Sequence, residues 1–158
     1  MDVKEIYTRL VSQFGSERIL AFRDDAAGDP FVLIRPESVR EVMQFLRAEP
    51  LLDFDFLSLI TGVDYPDQLT VVYHLFSYSR KHKLVVKVEL PKASPRVDTV
   101  ESIWPTANWH ERETFDLLGV EFVGHPNLRR ILLPEDWDGH PLRKDYQQPD
   151  EYHGVSNW

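Results

Sequence analysis

FDFLSLITGVDYPDQLTVVYHLFSYSRKHKLVVKVELP, residues 54–91, decides the fold class. FDFLSLITGVDY, LTVVYHLFSY and KLVVKVELP are rich in β-branched and aromatic residues, which suit a pleated, half-buried surface. Asp64–Gln68 and Ser79–Lys83 carry turn chemistry, so the stretch predicts a three-strand meander. The adjacent pairs Val71-Val72 and Val85-Val86 break strict alternation, which predicts a sheet covered on both faces over part of its width.

Upstream, Ile6, Leu10, Val11 and Phe14 recur near helical spacing before Gly15 and predict an amphipathic helix over residues 3–14. Short apolar runs at 17–23 and 31–35 are joined by the turn-rich Asp24–Pro30 connection. Pro36 opens a second helix with an apolar stripe of Val39, Val42, Met43 and Leu46, and Pro50 lies just past its end. Downstream, a helix around 108–119 is signalled by Asn108 as N-cap, Glu111 completing a capping box and Gly119 as the stop. Beyond Gly119 the chain reads mainly as turns and short extended pieces. The expected class is α+β: a two-layer, mostly antiparallel or mixed sheet with helices packed on it and an irregular, turn-rich C-terminal third.

The 158 residues point to a single domain. With 26 acids against 18 bases the formal charge is −8, which disfavours nucleic acid and anionic membrane surfaces as partners. There is no cysteine, which excludes disulfides, a thiol nucleophile, cysteine-ligated zinc and an iron–sulfur cluster on this chain. No stretch approaches the ~20 apolar residues of a membrane helix, and MDVKEIYTRL lacks a signal-type apolar run. Membrane contact is therefore expected only through a partner.

Sharp motifs mostly dissolve on inspection. His110-Glu111-Arg112-Glu113-Thr114 lacks the second histidine of HExxH, so two metal ligands do not share a helix face. Gly119 and Gly124 have phosphate-loop spacing, but His125-Pro126 stands where Lys-Ser/Thr is needed. Glu111, Glu113 and Asp116 could serve as general acid and base, against the plainer role of answering a helix dipole. Glu135, Asp136 and Asp138 read as a solvated turn rather than a metal cage. Arg112 and Asp116 stand four apart and are expected to pair.

The most unusual feature is an echo. Gly124-His125-Pro126-Asn127-Leu128-Arg129-Arg130 is followed by Gly139-His140-Pro141-Leu142-Arg143-Lys144, each a proline-fixed turn delivering two adjacent cations. With Trp109, Trp137 and Trp158 in the same part of the chain, these cations suggest a protein interface. Arg129, Arg130, Arg143 and Lys144 are expected to be docking rather than fold-holding groups, with at least one of each pair pointing outward.

Residues 104–146, WPTANWHERETFDLLGVEFVGHPNLRRILLPEDWDGHPLRKDY, resemble the signature region of the 30 kDa subunit family of respiratory complex I, the proton-pumping NADH–quinone oxidoreductase. The family pattern falls on Glu111, Arg112, Glu113, Asp116, Leu117, Leu118, His125, Arg129, Ile131 and Leu132 without a gap, and Pro134–Asp145 continues the match. The upstream meander, including Tyr73-His74-Leu75, resembles the family more loosely. The resemblance divides the domain into an α+β core (1–103), the signature region (104–146) and a short tail (147–158) like the unfused form of that family.

It implies a cofactor-free accessory subunit of the peripheral arm, with FMN and iron–sulfur clusters on other subunits. Catalytic, cofactor and metal residues are expected to be absent from this chain. The implied partners are the quinone-site and iron–sulfur subunits, and the implied location is the cytoplasmic side of a bacterial cell membrane. Glu111, Arg112, Glu113, Asp116, His125, Pro126, Arg129, Arg130, Trp137, His140, Pro141, Arg143 and Lys144 are the interface and signature candidates. The alternatives are the equivalent subunit of an energy-converting hydrogenase or ferredoxin-linked relative and, more distantly, a metal-dependent hydrolase built on the His/Asp/Glu-rich third.

Overall fold

The computed structural model describes residues 1–24 and 28–156; Asp25, Ala26 and Ala27 of the Asp24–Pro30 connection, and Asn157 and Trp158, lie outside the described residues. Helix α1 (Val3–Phe14) starts at Asp2, whose carboxylate accepts the Glu5 N–H at 2.7 Å while the Glu5 carboxylate accepts the Asp2 N–H at 2.9 Å. This reciprocal cap is worth about 1 kcal/mol. The chain continues through β1 (Ile19–Arg23) and β2 (Phe31–Ile34) to a 3-10 turn at Pro36–Ser38 that leads into α2 (Val39–Ala48).

The meander forms as its composition requires, with β3 (Phe56–Asp64), β4 (Gln68–Ser77) and β5 (His82–Pro91) successively antiparallel. Strand β2 then pairs parallel to β5, with Val32 opposite Val86, and β1 closes the edge. The sheet order is β1-β2-β5-β4-β3. The long excursion from β2 through α2, β3 and β4 is what allows β5 to return parallel to β2.

One sheet face carries the core. Val32, Ile34, Ile60, Val71, Tyr73, Val86 and Val88 join Ile6 and Leu10 of α1 and the buried stripe Val39, Val42, Met43 and Leu46 of α2. On the other face Val72 and Val85 are also buried, but they line a shallow hollow of about 430 Å³. Sheet residues and the Gly28–Asp29 stretch make up its lining, and the Lys87 ammonium sits 3.8 Å above the Phe31 ring. The second face is thus covered only in part: neighbouring sheet side chains and the Gly28–Asp29 stretch surround these valines, and among the described residues no helix residue lines the hollow.

After β6 (Arg96–Asp98) comes α3 (Ala107–Leu118), which crosses β3. Gly62 permits that approach, because a Cβ there would lie 2.3 Å from the Leu118 side chain. The start of α3 differs from expectation. Thr106 occupies the N-cap position without a side-chain cap, and Asn108 lies inside the helix. Glu111 does not cap, because its carboxyl is buried against the loop after β6. Strand β7 (Glu121–Val123) pairs parallel with β6, a second small sheet that three-residue strands are too short to signal by periodicity. A final hairpin, β8 (Glu151–Tyr152) with β9 (Val155–Ser156), lies within the tail.

Candidate functional site

Helix α3 carries two fully buried carboxyl groups, Glu111 and Asp116, and each ties down a different stretch of loop. Glu111 reaches back to the chain leaving β6. It accepts a very short hydrogen bond from the Thr99 hydroxyl and another, at 2.8 Å, from the Val100 N–H. Thr99 in turn accepts the Glu101 N–H at 3.1 Å. Among the described residues no arginine or lysine reaches Glu111, and the ring of His125 stands 4.0 Å away. Burial, only partly offset by the Thr99 and Val100 bonds, pushes the Glu111 carboxyl up to about 7. The nearby Tyr73 hydroxyl is itself buried without a partner among the described residues, and burial, with the Glu111 charge second, raises it well above its ordinary range.

Asp116 has the opposite surroundings. One carboxylate oxygen accepts the Arg130 guanidinium at 2.8 Å. The other accepts three consecutive backbone N–H groups, from Ile131 (3.0 Å), Leu132 (2.8 Å) and Leu133 (2.9 Å). Burial works to raise this carboxyl, but the Leu133 N–H, Arg130 and the other two N–H groups outweigh it and hold it below the usual range. Arg130 also donates to the carbonyls of Asp116, Trp137 and Gly139. Arg112, on the same helix, donates to the carbonyls of Arg129 and Arg130. The expected Arg112–Asp116 pair is therefore replaced: each finds its partners in the loop, where unsatisfied backbone groups bind charged side chains more strongly than one exposed helix pair would.

The Gly-His-Pro echo has a structural counterpart. His125 Nε2 donates to the Asn108 carbonyl at 3.1 Å, its Nδ1 accepting the Asn127 N–H. His140 Nδ1 donates to the Asp116 carbonyl at 2.9 Å. Each turn thus sends its histidine onto a carbonyl of α3. Gly119 ends the helix with φ +77°, and a Cβ there would sit 2.6 Å from the His140 ring, so both conformation and space demand glycine.

The four cations divide by position. Arg130 is part of the Asp116 knot, and Arg143 forks onto Asp145 (3.0 and 3.1 Å) while reaching the Lys92 carbonyl. These two hold the fold, which corrects the expectation that all four are docking groups. Arg129 and Lys144 are exposed, so one member of each pair does face outward. The Lys144 backbone N–H, rather than its ammonium, is engaged, donating to buried Asp64 at 2.7 Å. Beside Asp64, Lys92 closes an ion pair at 2.6 Å.

Trp137 is half-buried, with its ring 5.1 Å from that of Tyr152. Tyr152 and His153 bond Asp136, so the tail folds back onto this loop. Glu113 and Pro126 are exposed, and Pro141 is half-buried. Sequence reasoning missed Thr99, Asp64 and Tyr73; polar residues within or beside strand patterns were their one signal. Among the described residues, no group of three or more His, Asp or Glu side chains converges to hold a metal ion. Nor is any helix there long and apolar enough to cross a membrane. The geometry positions loops and displays a surface.

Above the N-terminal half of α3 lies a groove of about 660 Å³, lined by Pro105, Thr106, Asn108, Trp109, His110, Glu113, Ile131 and Leu132. Its apolar walls are open to solvent: Trp109 is 70% and Leu132 62% exposed.

Comparison with known proteins places this geometry. A family model described as respiratory-chain NADH dehydrogenase, 30 Kd subunit, matches residues 32–152. The chain is 50% identical over 121 residues to an NADH-quinone oxidoreductase subunit from Roseiflexus castenholzii, covering 75% of this chain and 70% of that one. The equivalent NADH-quinone oxidoreductase subunit from Chlorobium phaeobacteroides is 39% identical over 156 residues, covering 97% of this chain and 89% of the relative. Among solved structures, a trypsin-resistant fragment of Nqo5 is 28% identical with a TM-score of 0.67, covering 81% of this chain and all of the fragment. A chain of a membrane-bound sulfane sulfur reductase, an archaeal respiratory membrane complex, shares the fold at 22% identity and a TM-score of 0.72, covering 91% of this chain and 85% of that one.

Proposed function

The chain belongs to the family of the 30 kDa subunit of the respiratory-chain NADH dehydrogenase, and we infer that it is an accessory, non-catalytic subunit in the peripheral arm of a proton-translocating NADH–quinone oxidoreductase. In this reading NADH oxidation, cluster electron transfer and quinone reduction take place on other subunits, which carry the FMN and the iron–sulfur clusters. This chain holds the quinone-site subunit and its cluster-bearing neighbours in register, and sits peripherally on the cytoplasmic side of the membrane.

The observation that carries the reading is the match over residues 32–152, which includes the whole signature stretch from Glu111 to Leu132. The use made of that stretch supports it. Glu111, Arg112 and Asp116 of α3 bond loops of this chain, and His125, Arg130 and His140 bond from those loops back to α3, the arrangement of a scaffold that fixes a surface. Glu113, Pro126, Arg129 and Lys144 are exposed and are the signature candidates free to face a partner.

The experiment is purification from the source organism through a tag on this chain. Co-elution of a complex that reduces quinone with NADH and shows flavin and iron–sulfur spectra is expected, while the isolated chain absorbs only through its aromatics. A flavin or iron stoichiometric with the isolated chain, or a co-purifying complex whose activity is hydrogenase rather than NADH dehydrogenase, contradicts the reading.

A further inference from the structure

The loop that follows the first of the two Gly-His-Pro turns holds apolar side chains in water and yet is fixed with unusual firmness. Ile131, Leu132 and Leu133 lie outside regular secondary structure, but their three N–H groups all end on one oxygen of buried Asp116. Arg130, bonded to the other oxygen and to the carbonyls of Trp137 and Gly139, closes both ends of the same loop. The result is an exposed Leu132 in a set place, across a groove from an exposed Trp109. Solvent alone gives no reason to immobilise an apolar side chain. A docking surface does, because a contact ordered in advance loses less entropy on binding.

The groove also has a sign. Glu113 is four residues beyond Trp109 and so lies on the same face of α3. No lysine or arginine is among the lining residues, and the nearby Arg112 guanidinium is directed to the loop carbonyls. An indole face beside a carboxylate with no ion-pair partner among the described residues suits a cation carried on an apolar stem, through cation–π attraction and charge pairing together.

We propose that the groove between Trp109 and Leu132 is the docking site for a segment of a partner subunit that inserts an apolar side chain and sets an adjacent lysine or arginine against Trp109 and Glu113. The inference rests on the subunit reading above and gives that reading a contact chemistry. Asp116 and Arg130 then act as positioning residues, holding Leu132 for the partner without touching it.

The test uses the assembled complex, purified through a tag on this chain, with the photo-reactive change Leu132→p-benzoylphenylalanine and, separately, Trp109→Ala and Glu113→Lys. Irradiation is expected to join position 132 to one partner-subunit peptide with a lysine or arginine within a few residues of the linked apolar site. Both substitutions are expected to weaken assembly at least about tenfold while leaving the isolated chain's melting temperature unchanged. An intact complex that gives no cross-link, or links to this chain, a second copy or an acidic peptide, overturns the docking inference and leaves the subunit reading standing. A link to a basic, apolar peptide of a protein outside an NADH–quinone oxidoreductase keeps the docking inference and overturns the subunit reading. Neither cross-link nor co-purification overturns both.

Discussion

Residues 1–103 and residues 104–146 are held together by different physics. The first region is bound mainly by apolar side chains facing one another across a sheet and two helices, with the buried Asp64 paired to Lys92 as its ionic exception. The second has a modest apolar seam against β3 and is organised by two buried carboxylates on α3. Apolar burial is non-directional, so many core substitutions of similar volume are tolerable. A carboxylate that collects four donors is directional, and losing it leaves each donor without a partner. The difference also separates the two acids: Asp116 has a cation and three N–H groups, whereas Glu111 has a hydroxyl, one N–H and no cation.

The largest effect that can break this comparison is Asp116→Ala. It strands the partly buried Arg130 and frees three N–H groups, so it should cost roughly 3–5 kcal/mol in denaturant unfolding of the isolated chain. A loss under about 1 kcal/mol would mean that the loop is held by something other than the carboxylate.

Glu111 sharpens the contrast through pH. Its folded-state value of about 7 lies above the ordinary 4.5, so the folded form holds this proton more tightly than the unfolded form. Its contribution is therefore complete below about pH 4.5, falls as pH rises to about 7, and is level beyond. The span is on the order of 3 kcal/mol. Glu111→Gln keeps an acceptor for the Val100 N–H and can donate to Thr99, so the variant should fold with this slope flattened. An unchanged slope would contradict the assignment of this titration to Glu111. For Asp116, held below 3.8, the sign reverses: its stabilisation is present above its ordinary value and is lost as pH falls through its folded one.

The smallest effect separates outward cations from inward ones. Arg129→Glu and Lys144→Glu, both at exposed positions, should each change stability by under ~0.5 kcal/mol. Arg130→Glu should unfold the loop, because it sets a second carboxylate against Asp116. Thermal melts of the three variants decide the matter, and equal losses in all three would erase the distinction.

Much of the first region was legible because periodicity reports which face is buried. The α1 span, the α2 stripe Val39, Val42, Met43 and Leu46, the meander and its first turn are where the pattern puts them, and the second turn falls slightly earlier, at residues 78–81. The parallel β2–β5 pairing was not, since register between distant strands leaves no local trace. The second region was legible in residue identity but not in bonding. Glu111, with the look of a capping-box acid, reaches Thr99 and Val100 twelve and eleven residues away. Asp116, four residues from Arg112, pairs instead with Arg130 fourteen residues on. Long-range polar partners of this kind follow no period, and they decided the fate of the Gly-His-Pro echo: its histidines tie turns to α3, and its cations split between holding and facing outward.

One carboxylate fixes a loop on an independently packed core, and amide hydrogen exchange tests this residue by residue. In the unaltered chain the amides of Ile131, Leu132 and Leu133 should be protected although they belong to no helix or strand. In Asp116→Asn, protection at these three positions should fall sharply while the amides of Val71, Tyr73, Val86 and Val88 in the sheet stay protected. Free exchange at 131–133 in the unaltered chain, or equal loss of protection in loop and sheet on substitution, would contradict it.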